Sequence, residues 1–133
     1  MEARLFFGCP VPKSVAAELH EWASETLDTD SLRLVPPENY HVTLVFYGQV
    51  DAERQAVLEE LTHRVEWEPV QAISDKVKLY GRSAIGVSLK TPPGELLRLD
   101  RRLNRLAMRR HNADLRNRRA PNLHITIARM RKP

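Results

Sequence analysis

A chain of 133 residues holds one domain with one sizeable core, and a net charge of +4 with 29% charged residues fits a soluble globular protein. No apolar run approaches the roughly 20 residues of a membrane span. With Cys9 as the one cysteine, an intrachain disulfide and a four-cysteine zinc site are both excluded.

The opening MEARLFFGCP lacks the basic segment and the long apolar stretch of a secretory signal. With the lone thiol, this points to a reducing, cytoplasmic setting. The charge is uneven along the chain. Residues 1–66 carry 5 Lys/Arg against 12 Asp/Glu, and residues 67–133 carry 16 against 5. A polyanionic partner would account for such a basic half, and so would a mixed solvated surface if the fold interleaves the two halves.

The predicted elements run in this order. Arg4-Leu5-Phe6-Phe7-Gly8-Cys9 reads as a short buried strand, stopped by Pro10 and Pro12. A helix over 13–28 sets Val15, Leu19, Trp22, Ala23 and Leu27 on one stripe and Glu18, Glu21 and Glu25 on the solvated side. Leu32-Arg33-Leu34-Val35 is a short strand, broken by Pro36-Pro37-Glu38-Asn39. The run from His41 to Tyr47 is rich in β-branched and aromatic residues, and the strand it predicts ends at Gly48. Asp51 caps a helix over 52–66 with Val57, Leu58, Leu61 and Val65 inward, closed by Pro69.

Two strands follow, over 70–80 and 83–90, around Gly81-Arg82. In the second, Ile85, Val87 and Leu89 alternate with smaller or polar residues. After the break Thr91-Pro92-Pro93-Gly94, a helix over 94–111 presents Leu96, Leu99, Leu103, Leu106 and Ala107 inward. Its outer face carries Arg98, Arg101, Arg102, Arg105, Arg109 and Arg110. Residues 112–121 are polar and irregular, and Leu123 to Arg129 is again strand-like. This alternation predicts one α+β domain over 1–133, a mostly antiparallel sheet covered by outer helices.

Two tetrapeptides match: His41-Val42-Thr43-Leu44 and His124-Ile125-Thr126-Ile127. Side chains alternate faces along a strand, so His41 and Thr43 share one face, as do His124 and Thr126, while the aliphatics point behind the sheet. If the two strands meet, one cleft holds two imidazoles and two hydroxyls. Metal-free cleavage of a phosphodiester needs that set. One imidazole takes a proton from the attacking oxygen, the other gives one to the leaving oxygen, and the hydroxyls hold non-bridging oxygens. A zinc site built on His41 and His124 lacks a third ligand at a suitable spacing.

The remaining candidates have plainer readings. His20, His63 and His111 sit on predicted helices among charged neighbours, as surface histidines do. Cys9 ends an apolar strand and reads as buried filler. The arginine-rich helix and Arg116, Arg118 and Arg119 fit contacts to a phosphate backbone, or a solvated face. Tyr40 and Tyr47 flank the first tetrapeptide, where either stacks on a base or packs in the core.

These residues resemble the two-histidine (2H) phosphoesterase superfamily, and within it the RNA 2′,3′-cyclic phosphodiesterases, also called 2′-5′ RNA ligases. The similarity in order covers nearly the whole chain. Arg4-Leu5-Phe6-Phe7 with Pro10-Val11-Pro12 resembles the family's first strand and helix start. Val35 to Val50 resembles its first motif block, and Pro121-Asn122-Leu123-His124-Ile125-Thr126-Ile127-Ala128-Arg129 its second. The resemblance implies a pseudo-symmetric, two-lobed α+β fold. It implies His41 and His124 as the acid/base pair, with Thr43 and Thr126 on the phosphate and Arg129 binding or positioning substrate. Strict alternation, however, puts Arg129 on the opposite face from His124.

The implied reaction opens a terminal 2′,3′-cyclic phosphate with water and leaves a 2′-phosphate. Some relatives run a similar reaction backwards with an RNA 5′-hydroxyl, as a 2′-5′ ligase. No metal or other cofactor is implied. The sequence departs from the family in two places. Relatives commonly have proline directly before the second histidine, where this chain has Leu123. They also continue for some tens of residues beyond the position of Arg129, into two further strands. The second lobe is therefore expected to be short, its open edge covered by a second copy of the chain or reduced with the lobe. Two other classes stay open: a non-catalytic RNA-binding module, and a cyclic phosphodiesterase acting on small nucleotides.

Overall fold

A computed structural model of the chain describes residues 3–65, 71–91, 95–111 and 122–131. In chain order the elements are β1 (Ala3–Pro10), α1 (Lys13–Thr26), β2 (Leu32–Leu34), a 3-10 turn (Pro37–Asn39), β3 (His41–Val50), α2 (Ala52–Thr62), β4 (Ile73–Tyr80), β5 (Ala84–Lys90), α3 (Glu95–His111) and β6 (His124–Met130). The strands follow the hydrogen-bonded order β1-β3-β6-β5-β4, and β2 also pairs with β6. The predicted α+β class and every predicted element are present. Among the described residues no helix is long and apolar enough to cross a membrane.

The chain forms two compact units. The first comprises Met1–Phe7, Leu44–Ala72 and Thr91–Pro121. In it α2 packs against α3, burying Val57, Leu58 and Leu61 of α2 and Leu99, Leu103 and Ala107 of α3. These are predicted inward positions; of the others, Val65 falls beyond the helix end, Leu106 is half-buried, and the side chain of Leu96 lies outside the described residues. The Asp51 carboxylate accepts the Arg54 backbone N–H at 2.8 Å, so the predicted cap forms. Asp51→Ala is expected to cost about 1 kcal/mol of stability. A lowered urea midpoint with unchanged slope would register it. A cavity of about 180 Å³ in this unit is lined by Phe6, Phe7, Tyr47, Leu58 and Leu103 among others. Of the residues singled out from the sequence Tyr47 lines it, and His41, Thr43, His124, Thr126 and Arg129 do not.

The second unit comprises Gly8–Thr43, Ile73–Lys90 and Asn122–Pro133. Its core joins Ala16 and Ala23 of α1 to Tyr40, Val87, Ile125 and Ile127. The buried stripe of α1 differs from the predicted one. Leu19, Ala23 and Leu27 pack inward, but Val15 and Trp22 are 48% and 39% exposed, and Ala16 takes the place they were expected to fill. Ala16 and Ala23 lie two turns apart on one line. Two small side chains bring a helix close against its neighbours, and large ones are displaced to its flanks.

Gly48 does not end β3, which continues to Val50. Its φ of 74° is a conformation glycine adopts without the steric cost other residues meet, so it turns the strand locally rather than stopping it. The break at Pro36-Pro37 is the opposite case. Neither proline has an N–H to give a ladder. The chain leaves β6 after Val35, whose N–H still bonds the Ile127 carbonyl at 2.9 Å, turns through Pro37–Asn39, and rejoins the same edge of β6 as β3.

Candidate active site

Three strands of the second unit meet along β6. Val42 of β3 and Val87 of β5 both pair with Ile125, and all three side chains join the core. Period-two alternation then turns the flanking residues to the other face. On β3 these are His41 and Thr43, and on β6 His124 and Thr126. The Val42–Ile125 pairing sets His41 level with Thr126 and Thr43 level with His124. The two histidines are thus diagonal cross-strand neighbours, about 7 Å apart at Cβ. His41 is exposed, while Thr43, His124 and Thr126 are half-buried.

Both rings are held in the same way. His41 Nδ1 lies 3.0 Å from the Asn39 backbone carbonyl, and His124 Nδ1 lies 2.7 Å from that of Asn122. A carbonyl only accepts, so each Nδ1 carries the proton and donates. In each neutral ring Nε2 is then the basic nitrogen, and in each charged ring it is an acid. Both histidines reach back two residues to a backbone carbonyl, His41 to the last residue of the 3-10 turn and His124 to the residue two before β6.

A tyrosine fixes the second ring further. Tyr80 of β4 stacks on His124 of β6, with ring centroids 3.8 Å apart and planes 13° from parallel. β5 runs between those two strands, so their backbones stand two strand spacings apart, roughly 9–10 Å. The rings meet because the residue beneath them is Gly86. A Cβ there would lie 3.0 Å from Tyr80 Cε2, 3.1 Å from His124 Cδ2 and 3.0 Å from the Ile125 carbonyl oxygen. Next to it, Ser88 pairs with His124 and ties its hydroxyl to the Lys76 backbone at 3.0 and 3.2 Å.

Arg129 breaks the expected alternation. The β5–β6 register shifts between Ile85 and Gly86, with Gly86 opposite Thr126 and Ile85 opposite Ala128. Ile127 is the extra residue of a β-bulge. Ile127 and Ala128 are consecutive and both fully buried. Past the bulge the faces exchange. Arg129 pairs with Ala84, which shares its face with Gly86 and Ser88, and so stands on the same side as His124 and Thr126. Strict alternation had put it on the other side.

The other candidates fall out differently. Tyr40 is 2% exposed inside the core, and burial pushes its phenol above the ordinary value. It is therefore a packing residue rather than a base-stacking one. Tyr47 lines the cavity of the first unit. His20 is half-buried rather than on the surface, with Nδ1 3.5 Å from the Tyr40 hydroxyl. His63 is exposed at the end of α2. Cys9 is half-buried and its thiol is pushed up by burial, which suits filler and not a nucleophile. On the arginine-rich α3, Arg110 is spoken for by Glu60 at 2.8 Å, a carboxylate it shares with Arg64 at 2.9 Å. Arg116, Arg118 and Arg119 lie outside the described residues. Among the described residues no three His, Cys, Asp or Glu side chains gather as a metal site would need.

Sequence reasoning missed Tyr80 and Gly86. The available signal was the glycine itself, which interrupts an otherwise well-patterned strand as glycines do where something approaches closely.

A family model described as LigT-like phosphoesterase matches residues 9–87. The RNA 2′,3′-cyclic phosphodiesterase of Escherichia coli (strain K12) is 28% identical over 127 residues, spanning 95% of this chain and 71% of that protein. The protein of the same name from Archaeoglobus fulgidus is 27% identical over 137 residues, spanning 97% and 73%. Among solved structures the chain is similar to E. coli LigT. In apo form that match has a TM-score of 0.71 at 27% identity, covering 99% of this chain and 74% of LigT. Complexed with 3′-AMP it has a TM-score of 0.68 at 26% identity, covering 98% and 74%.

Proposed function

The chain belongs to the LigT-like phosphoesterase family, and from that premise we propose that it hydrolyses RNA ends bearing a 2′,3′-cyclic phosphate, with His41 and His124 as the acid/base pair. The observation that carries this reading is the matched pair of Nδ1–carbonyl hydrogen bonds on neighbouring strands. Each fixes which ring nitrogen carries the proton, and so the role Nε2 can take. The relatives named RNA 2′,3′-cyclic phosphodiesterase support the same substrate.

The proton inventory then closes. One neutral Nε2 takes a proton from water as the water oxygen bonds to phosphorus. The P–O3′ bond breaks, and the other imidazolium gives its Nε2 proton to the departing O3′. The product is a 2′-phosphate beside a free 3′-hydroxyl. Proton exchange with solvent returns both rings to their starting state. Thr43 and Thr126, level with the two histidines, donate to the non-bridging oxygens, where negative charge grows in the transition state. Arg129 adds positive charge on the same face. An RNA 5′-hydroxyl in place of water would make a 2′-5′ linkage by the same proton transfers. We read residues 1–133 as one phosphoesterase domain of the cytoplasm, where the lone Cys9 stays reduced.

The test is product analysis with an oligoribonucleotide ending in a 2′,3′-cyclic phosphate. The expected product is the 2′-phosphate, formed at the same rate with and without EDTA because both proton carriers are side chains. No turnover, or a 3′-phosphate product, would overturn the reading.

A further inference from the structure

α3 turns Leu99, Leu103 and Ala107 into the core it shares with α2, so its opposite side faces solvent. At about 100° of turn per residue, Arg98, Arg101, Arg102, Arg105 and Arg109 fall within about a third of the helix circumference. All five are exposed. Arg101, Arg105 and Arg109 follow at successive i, i+4 steps, a row about 12 Å long. Arg98 and Arg102 stand beside its first two members.

Like charges three and four positions apart repel, and a solvated helix face ordinarily interleaves acidic residues that relieve this. Here that relief is missing. Of the two acidic residues of α3, Asp100 stands three or four positions from none of the five, and Glu95 from Arg98 alone. Among the described residues Arg101, Arg105 and Arg109 have no salt bridge. Arg110 turns instead to Glu60 of α2 and stands outside the row. The outer side of α1 carries Glu18, Glu21 and Glu25, so a basic face is particular to α3. A polyanion laid along the row would replace the repulsion with attraction.

The row also says which polyanion. α3 is basic through arginine alone, with no lysine. Each guanidinium matches a phosphate with two parallel hydrogen bonds, where an ammonium is a point charge. Successive members rise about 6 Å along the axis, close to the spacing of phosphates along an extended nucleic-acid strand. A lipid surface is held by lysine as well as by arginine, and a helix that lies in it buries an apolar face there. The apolar face of α3 is already occupied by α2.

We propose that the arginine face of α3 is a docking surface for the sugar–phosphate backbone of an RNA strand, one that reads neither its sequence nor the chemistry of its end. That the polyanion is RNA rests on the phosphodiesterase reading above. The surface itself needs neither histidine.

The experiment follows the binding of a labelled single-stranded oligoribonucleotide against salt. Its end is a plain 3′-hydroxyl, which offers the two histidines no cyclic phosphate. The parent chain is compared with a triple variant, Arg101→Gln with Arg105→Gln and Arg109→Gln, its fold checked by circular dichroism. Affinity is expected to fall about tenfold or more, and the salt slope by about 2, three phosphate contacts at about 0.7 each. Arg101→Lys with Arg105→Lys and Arg109→Lys should keep most of the slope, since counterion release follows charge. Parallel arms offer vesicles of phosphatidylserine and phosphatidylcholine, and poly-glutamate, and both should bind more weakly than RNA at equal salt. No binding of RNA by the parent, a slope that the glutamine variant leaves at the parent value, or tighter binding of vesicles or poly-glutamate would overturn the surface. Turnover of a 2′,3′-cyclic phosphate end is scored apart from binding. A parent that turns it over while the slope stays fixed loses the surface and keeps the chemistry. A parent that binds through the row and turns nothing over keeps the surface and loses the chemistry.

Discussion

His41→Ala and His124→Ala are each expected to lower kcat on an RNA 2′,3′-cyclic phosphate end by about 10²–10⁴-fold, the usual share of a positioned acid or base. The two rings carry one proton each in a single displacement, so removing either leaves the other without a counterpart. The double variant should fall little below the worse single variant, as groups acting as a unit do. Neither substitution threatens the fold. His41 is exposed, and His124 gives up a ring stack of about 0.5–1.5 kcal/mol. Circular dichroism and the thermal midpoint separate a dead site from an unfolded chain. A folded double variant turning over at the parent rate would end the case for these two residues.

The second large effect is expected where no catalytic group is touched. Gly86→Ala puts a methyl group 3.0 Å from the Ile125 carbonyl oxygen and from Tyr80, and 3.1 Å from His124. The carbonyl belongs to the sheet ladder and cannot retreat, so the rings must. A displacement near 1 Å at a reacting group costs on the order of 10²-fold in rate, and kcat should fall by that amount. Overpacking should also cost about 1–3 kcal/mol of stability. Tyr80→Phe keeps the ring and should keep the rate. Tyr80→Leu removes the flat surface under His124 and should lower kcat, with the chain still folded. A Gly86→Ala variant at full kcat would show that His124 does not need its stacking partner.

Much of this was legible in the residues. Proline and glycine punctuation bounded the elements, and strand periodicity separated the His/Thr face from the aliphatic one at both tetrapeptides. The Asp51 cap followed from one side chain before a helical stripe. Where the reading slipped, packing overrode local pattern. α1 was expected to bury Val15 and Trp22, yet the helix settles on Ala16 and Ala23. Hydropathy ranks the larger residues as more buried, while the closeness of approach, which favours small ones, depends on what lies opposite. Gly48 was read as a stop because glycine often ends strands, but β3 carries on through it.

By itself the order of residues determined which imidazoles and hydroxyls stand on a common face within each strand, because alternation is a property of a single extended chain. It did not determine that β3 and β6 are neighbours, since pairing joins residues 42 and 125 across most of the molecule. Nor did it reveal the bulge at Ile127 that swings Arg129 round to the histidines. The run Ile125-Thr126-Ile127-Ala128 reads equally well as regular or bulged, and only the count of residues on the facing strand decides. The void over Gly86 belongs to three strands at once: glycine supplied the absence of a side chain, and the tertiary arrangement put Tyr80 and His124 into it.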